Sequence, residues 1–338
     1  MLAYVILKTG GTAVALDPNE RYYIKLKAAY LYYHEDITQQ QLADQLGISR
    51  LTLNKLLKEA RDEGIVKIEI QDVRGYAGLI RLENELRKRF GLKSVKIASS
   101  MSDDPASITQ SIARAAAAHF DALIASKKRI GIGWGKTLEL MSTFITPSAR
   151  VHKAEFITLI GGSAGANARV HANTLADMIA RLYKNSVTHP LNAPIYFENE
   201  SLSAAALEEP NIRDTMDKMN DLDIALVGVD GELDKSTTIQ SGIIQAPTIE
   251  TLRSENAAGN ICARFYDIEG SICAQSLYDK LISIPFETLK AVPTVIAVAG
   301  GSHKIRSLIG AARGGYYNTL ITDEHTAKAM LDFSASGE

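Results

Sequence analysis

Residues 37–64, ITQQQLADQLGISRLTLNKLLKEARDEG, read as a helix, a tight turn and a second helix. Thr38 with Gln41 three residues on is a capping-box start. Leu42, Ala43 and Leu46 give the first helix an apolar face, and Gly47 supplies the turn. Ile48 is placed to pack beneath that turn, and Ser49 to cap the next helix. There Leu53, Leu56, Leu57 and Ala60 fall at i, i+3, i+4 and i+7, so they face inward together. Arg50, Thr52, Asn54, Lys55, Lys58 and Arg61 are left mostly outward. Arg and Asn pair bidentately with guanine and adenine edges, while Lys suits phosphate. The pattern predicts a helix-turn-helix for double-stranded DNA, with Thr38, Gln39, Ser49, Arg50, Thr52, Asn54, Lys55 and Lys58 as its contacts.

Two amphipathic helices joined by glycine also occur in ordinary helical domains, so the surroundings matter. A helix over Tyr22 to His34 precedes the pair. The run Ile65-Val66-Lys67-Ile68-Glu69-Ile70 follows and suggests a wing strand. Residues 20–70 hold eight Lys/Arg and eight Asp/Glu, so DNA attraction depends on charges gathered on one face, not on bulk charge.

At 338 residues the chain is long enough for about two domains. A hydrophobic content of 46% is sufficient for a large core, and a net charge of −2 exerts no global pull on nucleic acid or anionic lipid. Cys262 and Cys273 lack metal-ligand spacing and read as core thiols of a reducing, cytoplasmic compartment. No apolar run approaches the roughly 18 residues of a spanning helix, so no membrane role is expected. The start, MLAYVILKTGGTAVALDPNE, lacks a basic n-region and is interrupted by Lys8 and Gly10-Gly11. It reads as a loose extension over 1–19 and not as a signal peptide.

A DNA-binding domain is therefore expected over 20–72 and a linker or dimerisation helix over 73–92. In that helix Leu79, Leu82, Leu86 and Phe90 form one stripe, which suits self-association and packing on the second domain equally. From residue 93 to 338, β-rich runs alternate with helical stretches. Strands are expected at 95–98, 129–133, 156–160, 223–229, 294–299 and 319–322. Helices are expected at 106–124, 137–144, 170–183, 304–313 and 324–331. Near-continuous apolar strands separated by helices indicate a parallel sheet covered on both faces, hence an open, doubly wound α/β domain.

In such a sheet the ligand lies beyond the carboxyl ends of the strands. Several strand ends here turn to glycine: Gly133-Trp134-Gly135-Lys136-Thr137, Gly161-Gly162-Ser163, Gly228 to Gly231, and Gly300-Gly301-Ser302. Each alone is an ordinary tight turn. Together with Lys136, Thr137, Ser163, Arg169 and Lys304 they compose an anion pocket of amide donors, hydroxyls and cations. Asp267 and Glu269 are candidate acceptors for sugar hydroxyls, and a turn with solvated acids accounts for Glu269 equally well. Lys136 reads as a phosphate cation, with a Schiff base to a carbonyl-bearing phosphosugar as the other chemistry open to it. Gly131 to Thr137 falls one residue short of a P-loop. The sequence carries no zinc, kinase or serine-hydrolase motif, so no metal or cofactor is expected.

The helix-turn-helix segment joins a downstream domain carrying GIGWGKTL, ALVGVDG, ICARFYDIEG, VIAVAGGSHK and RGGYYNTLITDEHTAKAML. In the order and spacing of these blocks, over residues 20–333, the chain resembles the SorC (SorC/DeoR) family of bacterial sugar-responsive transcriptional regulators. The resemblance implies a winged helix-turn-helix followed by an effector domain with a sugar-phosphate isomerase-like fold. It implies a homotetramer on palindromic operator DNA and a phosphorylated sugar or polyol as effector. Carried over onto this sequence, the effector contacts are Lys136, Thr137, Gly161, Gly162, Asp267 and Lys304, with Arg169 and Asn173 from the SAGANARVHAN stretch; Gly133 and Ser163 of the glycine turns complete the candidate set. The competing reading is a sugar-phosphate isomerase or deaminase with an accessory DNA-binding module. It lacks an acid–base pair, because His152, His171, His189, His303 and His325 are scattered.

Overall fold

The computed structural model describes residues 6–9, 12–15, 17–73, 75–99, 104–125, 128–147, 151, 153–162 and 171–336. The chain divides into two compact units, Met1–Arg74 and Gly75–Glu338.

In the first unit, β1 (Ile6–Thr9) and β2 (Thr12–Ala15) pair antiparallel. They are followed by α1 (Pro18–Tyr33), α2 (Gln39–Leu46) and α3 (Arg50–Asp62). The stretch expected to be a loose extension thus holds a hairpin, and α1 starts within it because Pro18 presets a helical φ at the first turn. The helix-turn-helix forms as its sequence dictates. Thr38 Oγ1 accepts the Gln41 N–H, Ser49 Oγ accepts the Thr52 N–H at 3.1 Å, and Gly47 ends α2 at φ 64°. That left-handed conformation favours glycine. Leu42, Ala43, Leu53 and Leu57 pack with Ala28 of α1 into one small core.

The expected wing does not form as a strand. Residues 65–70 carry no ladder partner, and Ile68 and Ile70 are 57% and 87% exposed. A strand needs a neighbour for its backbone groups, and only Gln71 to Tyr76 separate this run from the next helix.

The second unit opens with α4 (Ala77–Arg89), β3 (Ser94–Ala98), α5 (Pro105–Leu123), β4 (Arg129–Ile132) and α6 (Lys136–Ser142). β5 (Glu155–Thr158), α7 (Ala172–Ala180), β6 (Val187–His189), α8 (Glu200–Glu208), α9 (Pro210–Lys218) and β7 (Ile224–Gly228) follow. Next come α10 (Thr237–Gln240), α11 (Ala246–Ser254), the β8 (Gly259–Ile261) and β9 (Arg264–Tyr266) hairpin, α12 (Gln275–Tyr278) and α13 (Phe286–Ala291). The chain closes with β10 (Thr294–Val298), α14 (Ile305–Arg313), β11 (Thr319–Asp323) and α15 (Glu324–Ser336).

Seven strands form one parallel sheet in the order β3-β11-β10-β7-β4-β5-β6. Alternate residues feed opposite faces: Ile224, Leu226, Ile296 and Val298 enter one core, and Ala225, Val227, Val295 and Ala297 the other. The doubly wound α/β architecture is as the sequence predicts. β6 escaped the sequence reading because three residues between polar stretches give no periodicity.

The stripe on α4 has a single use here. Leu82 and Leu86 are buried in the core of the second unit, with Leu79 and Phe90 packed against it. Glu83 accepts the Ile97 backbone N–H at 3.0 Å and pairs with Lys96 at 3.3 Å. A side-chain carboxylate thereby satisfies a backbone donor of edge strand β3. Cys262 and Cys273 are both free and buried. Among the described residues no helix is long and apolar enough to cross a membrane.

Leu86 is fully buried, so Leu86→Ala should destabilise the second unit by about 2–5 kcal/mol. Chemical denaturation checks this, and a loss no larger than that of Leu86→Met would show that the stripe is not a packing element.

Candidate functional sites

On the helix-turn-helix, the side of α3 opposite its core carries Leu51, Asn54, Lys55 and Lys58, again at i, i+3, i+4 and i+7, and all four are exposed. Arg50 lies beside them, its Nε 3.5 Å from Gln39 Oε1 at the start of α2. Thr38 is exposed, whereas the Ser49 and Thr52 hydroxyls lie 2.8 Å apart and are engaged in the helix cap. Leu51, 81% exposed, is the residue the sequence reading passed over. Its signal was there: an apolar side chain outside the inward set at the start of a recognition helix.

Ion pairs hold α3 along the flank of this stripe. Arg21 contacts both Glu59 carboxylate oxygens, at 2.9 and 3.0 Å, and the buried Lys25 lies 3.5 Å from Glu59 and pairs also with Glu63. Burial works against ionisation of Glu59, but Arg21 and Lys25 outweigh it and hold the carboxyl below its usual range. α1 and α3 are clamped together along the flank of the exposed stripe, where Glu59 lies one turn on from Lys55.

In the second unit, the carboxyl ends of β4, β7 and β10 surround a cavity of about 270 Å³. Lys136 and Thr137 reach it from the turn after β4, Asp230 and Lys235 from the loop after β7, and His303 and Lys304 from the turn after β10. Asp230 is the one carboxylate among the described lining residues, and it is committed to its own loop. Its Oδ2 accepts the Ser236 hydroxyl at 2.7 Å and the Thr238 N–H at 3.2 Å, and its Oδ1 accepts the Gly231 N–H at 3.1 Å. Lys235 pairs with Glu232 at 3.2 Å, and with Lys136 and Lys304 the lining still carries more cationic than anionic groups. Burial pulls the Lys304 ammonium below its usual pKa, with Lys136 adding repulsion and Asp230 opposing the shift. Burial, Lys304 and Lys235 likewise lower His303, so its imidazole favours the neutral form. Lys136 is exposed, which places the desolvated lysine at Lys304.

The structure brings together Lys136, Thr137 and Lys304 of the sequence-predicted set. Gly133 lies one residue before the lining, and its N–H donates to the Leu226 carbonyl at 2.8 Å. The backbone of Gly161 and Gly162 is used in pairing with Ile282 and with Ala193 and Ile195, away from the cavity. Asn173 holds the Leu191 backbone through both its amide atoms, at 3.1 and 3.3 Å. Asp267 Oδ1 accepts the Glu269 and Ser271 N–H groups and closes a turn, while Glu269 pairs with Arg313 at 2.7 Å. Ser163 and Arg169 lie outside the described residues. Asp230, Lys235 and His303 were missed because loop residues carry no periodicity. The glycines around them were the only signal. Among the described residues no His/Cys/Asp/Glu group could hold a metal ion.

Comparison with known proteins names this architecture. Residues 74–332 match a family model described as "Putative sugar-binding domain", and residues 27–82 one described as "Crp-like helix-turn-helix domain". The sorbitol operon regulator of Klebsiella pneumoniae is 30% identical over 308 residues, covering 90% of this chain and 96% of that protein. The chain belongs to the SorC/DeoR family of sugar-responsive transcriptional regulators. The deoxyribonucleoside regulator of Bacillus subtilis is 29% identical over 313 residues, 93% of this chain and 98% of its own. Among solved structures, the full-length Klebsiella pneumoniae regulator SorC superposes with a TM-score of 0.70 over 93% of this chain and 99% of that one. A transcriptional regulator from Streptococcus pneumoniae gives 0.72 at 29% identity, over 76% of this chain and 98% of that one. Such family members are named as regulators, in line with a chain that is not an enzyme.

A basic group whose pKa falls on folding binds its proton less tightly in the native chain, so the charge on Lys304 opposes folding at every pH below its unfolded value. Lys304→Met should therefore raise the melting temperature of the ligand-free protein. Scanning fluorimetry reads this, and a lower melting temperature would contradict this account.

Proposed function

We propose that the chain is an effector-gated regulator of sugar uptake or catabolism whose effector is a phosphorylated sugar or polyol. The observation that carries this reading is the charge of the cavity: Lys136, Lys235 and Lys304 line it, while its one carboxylate is held by Ser236, Thr238 and Gly231. Mobile hydroxyls alone would not call for three ammonium groups; a phosphate does. The effector acts through linkage: it shifts the population toward whichever state it binds better, and DNA affinity follows. A thermal-shift panel of sugars and their phosphates tests this. Selective stabilisation by one sugar phosphate over its parent sugar is expected, and equal stabilisation by the parent sugar would remove the phosphate from the reading.

For DNA, α3 lies in the major groove with Arg50 and Asn54 toward base edges and Lys55 and Lys58 toward phosphates; Thr38 and Gln39 contact the backbone from α2. Leu51 is suited to a thymine methyl group. A cytoplasmic homotetramer binds a palindromic operator with half-sites about one helical turn, or a multiple, apart. Arg50→Ala should cost about 1–3 kcal/mol on operator DNA and less on random DNA. Replacing the contacted thymine by uracil should weaken wild-type binding by about 0.8 kcal/mol and leave Leu51→Ala unaffected. Fluorescence anisotropy measures both. Equal Arg50→Ala losses on the two DNAs would make Arg50 a phosphate contact.

A further inference from the structure

A second cavity, of about 590 Å³, lies over the ends of β10 and β11 and shares Thr109, Gly300 and His303 with the first. The two differ in chemistry. The second has no lysine or arginine among its described lining residues. Its carboxylate is Asp323, 2% exposed, at the end of β11, and the His303 and His325 imidazoles also line it. The Asp323 carboxylate accepts the Thr326 N–H at 2.9 Å and the Thr326 hydroxyl at 2.6 Å, and Thr326 Oγ1 in turn accepts the Gly301 N–H at 2.7 Å. Two oxygens offer about four acceptor positions, so these bonds leave capacity for further donors. Gly300 is what lets the carboxylate reach the shared wall: a Cβ there would stand 2.2 Å from Asp323 Oδ2.

We propose that the two cavities form one effector site, in which the lysine chamber holds the phosphate and the hydroxyl chain passes Gly300 to be bound by Asp323. This rests on the phosphate reading above and goes further, because it names the ligand's shape. A compact ring phosphate fills the first chamber only. An open-chain polyol phosphate, or the open-chain form of a sugar phosphate, fills both. A second phosphate is disfavoured, since Asp323 repels it and no lysine or arginine of that chamber receives it. The imidazole of His303, on the shared wall, is placed to hydrogen-bond a hydroxyl in mid-chain.

Isothermal titration calorimetry on the full chain tests this with glycerol 3-phosphate, a hexitol 6-phosphate and a hexitol 1,6-bisphosphate. The hexitol monophosphate is expected to bind at least about tenfold more tightly than glycerol 3-phosphate, and the bisphosphate more weakly than the monophosphate. Asp323→Asn should remove that gain. Ala329→Phe, which fills the second chamber from α15, should remove it too, and serves if the Asn variant fails to fold. Equal wild-type affinities for the two monophosphates, or a gain that survives Ala329→Phe, would overturn the two-chamber site while leaving the phosphate reading intact. Failure of all three phosphates to bind would overturn both.

Discussion

The carboxylate of Asp230 is the point on which the cavity end of the second unit depends. Asp230 stands just beyond β7, the central strand of seven, and is bonded through both its side chain and its backbone. Ser236, Thr238 and Gly231 bond its side chain. Its backbone pairs with Asn260 of the β8–β9 hairpin, and its carbonyl accepts the Ser307 hydroxyl from α14 at 2.5 Å. Ser307 also meets the Tyr266 hydroxyl at 2.9 Å. One acid thus fixes the loop that carries Lys235, the hairpin beside it and the helix after Lys304. Because its acceptors are used in this way, it holds the lysines in place without forming a close ion pair with them, and the cavity keeps its positive charge.

The same economy operates in the first unit. Arg21 and Lys25 on α1 meet Glu59 and Glu63 on α3, and this cluster takes up charges that would otherwise compete with the exposed side of α3. An unbiased module, with eight charges of each sign, can therefore present Arg50, Lys55 and Lys58 outward. Segregation by helix geometry does what net charge does not.

Much of this was legible in order along the chain. Helix caps, the Gly47 turn and the inward leucines of α2 and α3 are local features, written in spacings of three and four residues. The six long strands of the parallel sheet announce themselves as apolar runs. The wing misled because Ile65 to Ile70 has strand composition, but a strand exists only with a partner, and partnership is not a local property. Asp267 and Asn173 have partners that spacing does not record, for a related reason. Their types suit a sugar, yet a nearby backbone claims both: the turn to Ser271 for Asp267, and Leu191 for Asn173.

By itself, then, the sequence determined the two-part organisation, the helix-turn-helix, the parallel sheet and the end of that sheet at which its glycine-rich turns gather. These follow from periodicity and from the rule that parallel strands share one carboxyl edge. Only the tertiary structure decided that the α4 stripe packs on its own domain. It alone drew Lys136, Lys235, His303 and Lys304 to one cavity, and took Gly161, Gly162 and Asp267 away from it. Residues more than 160 positions apart meet there because strand order, β10-β7-β4, is set by long-range packing that no local spacing records.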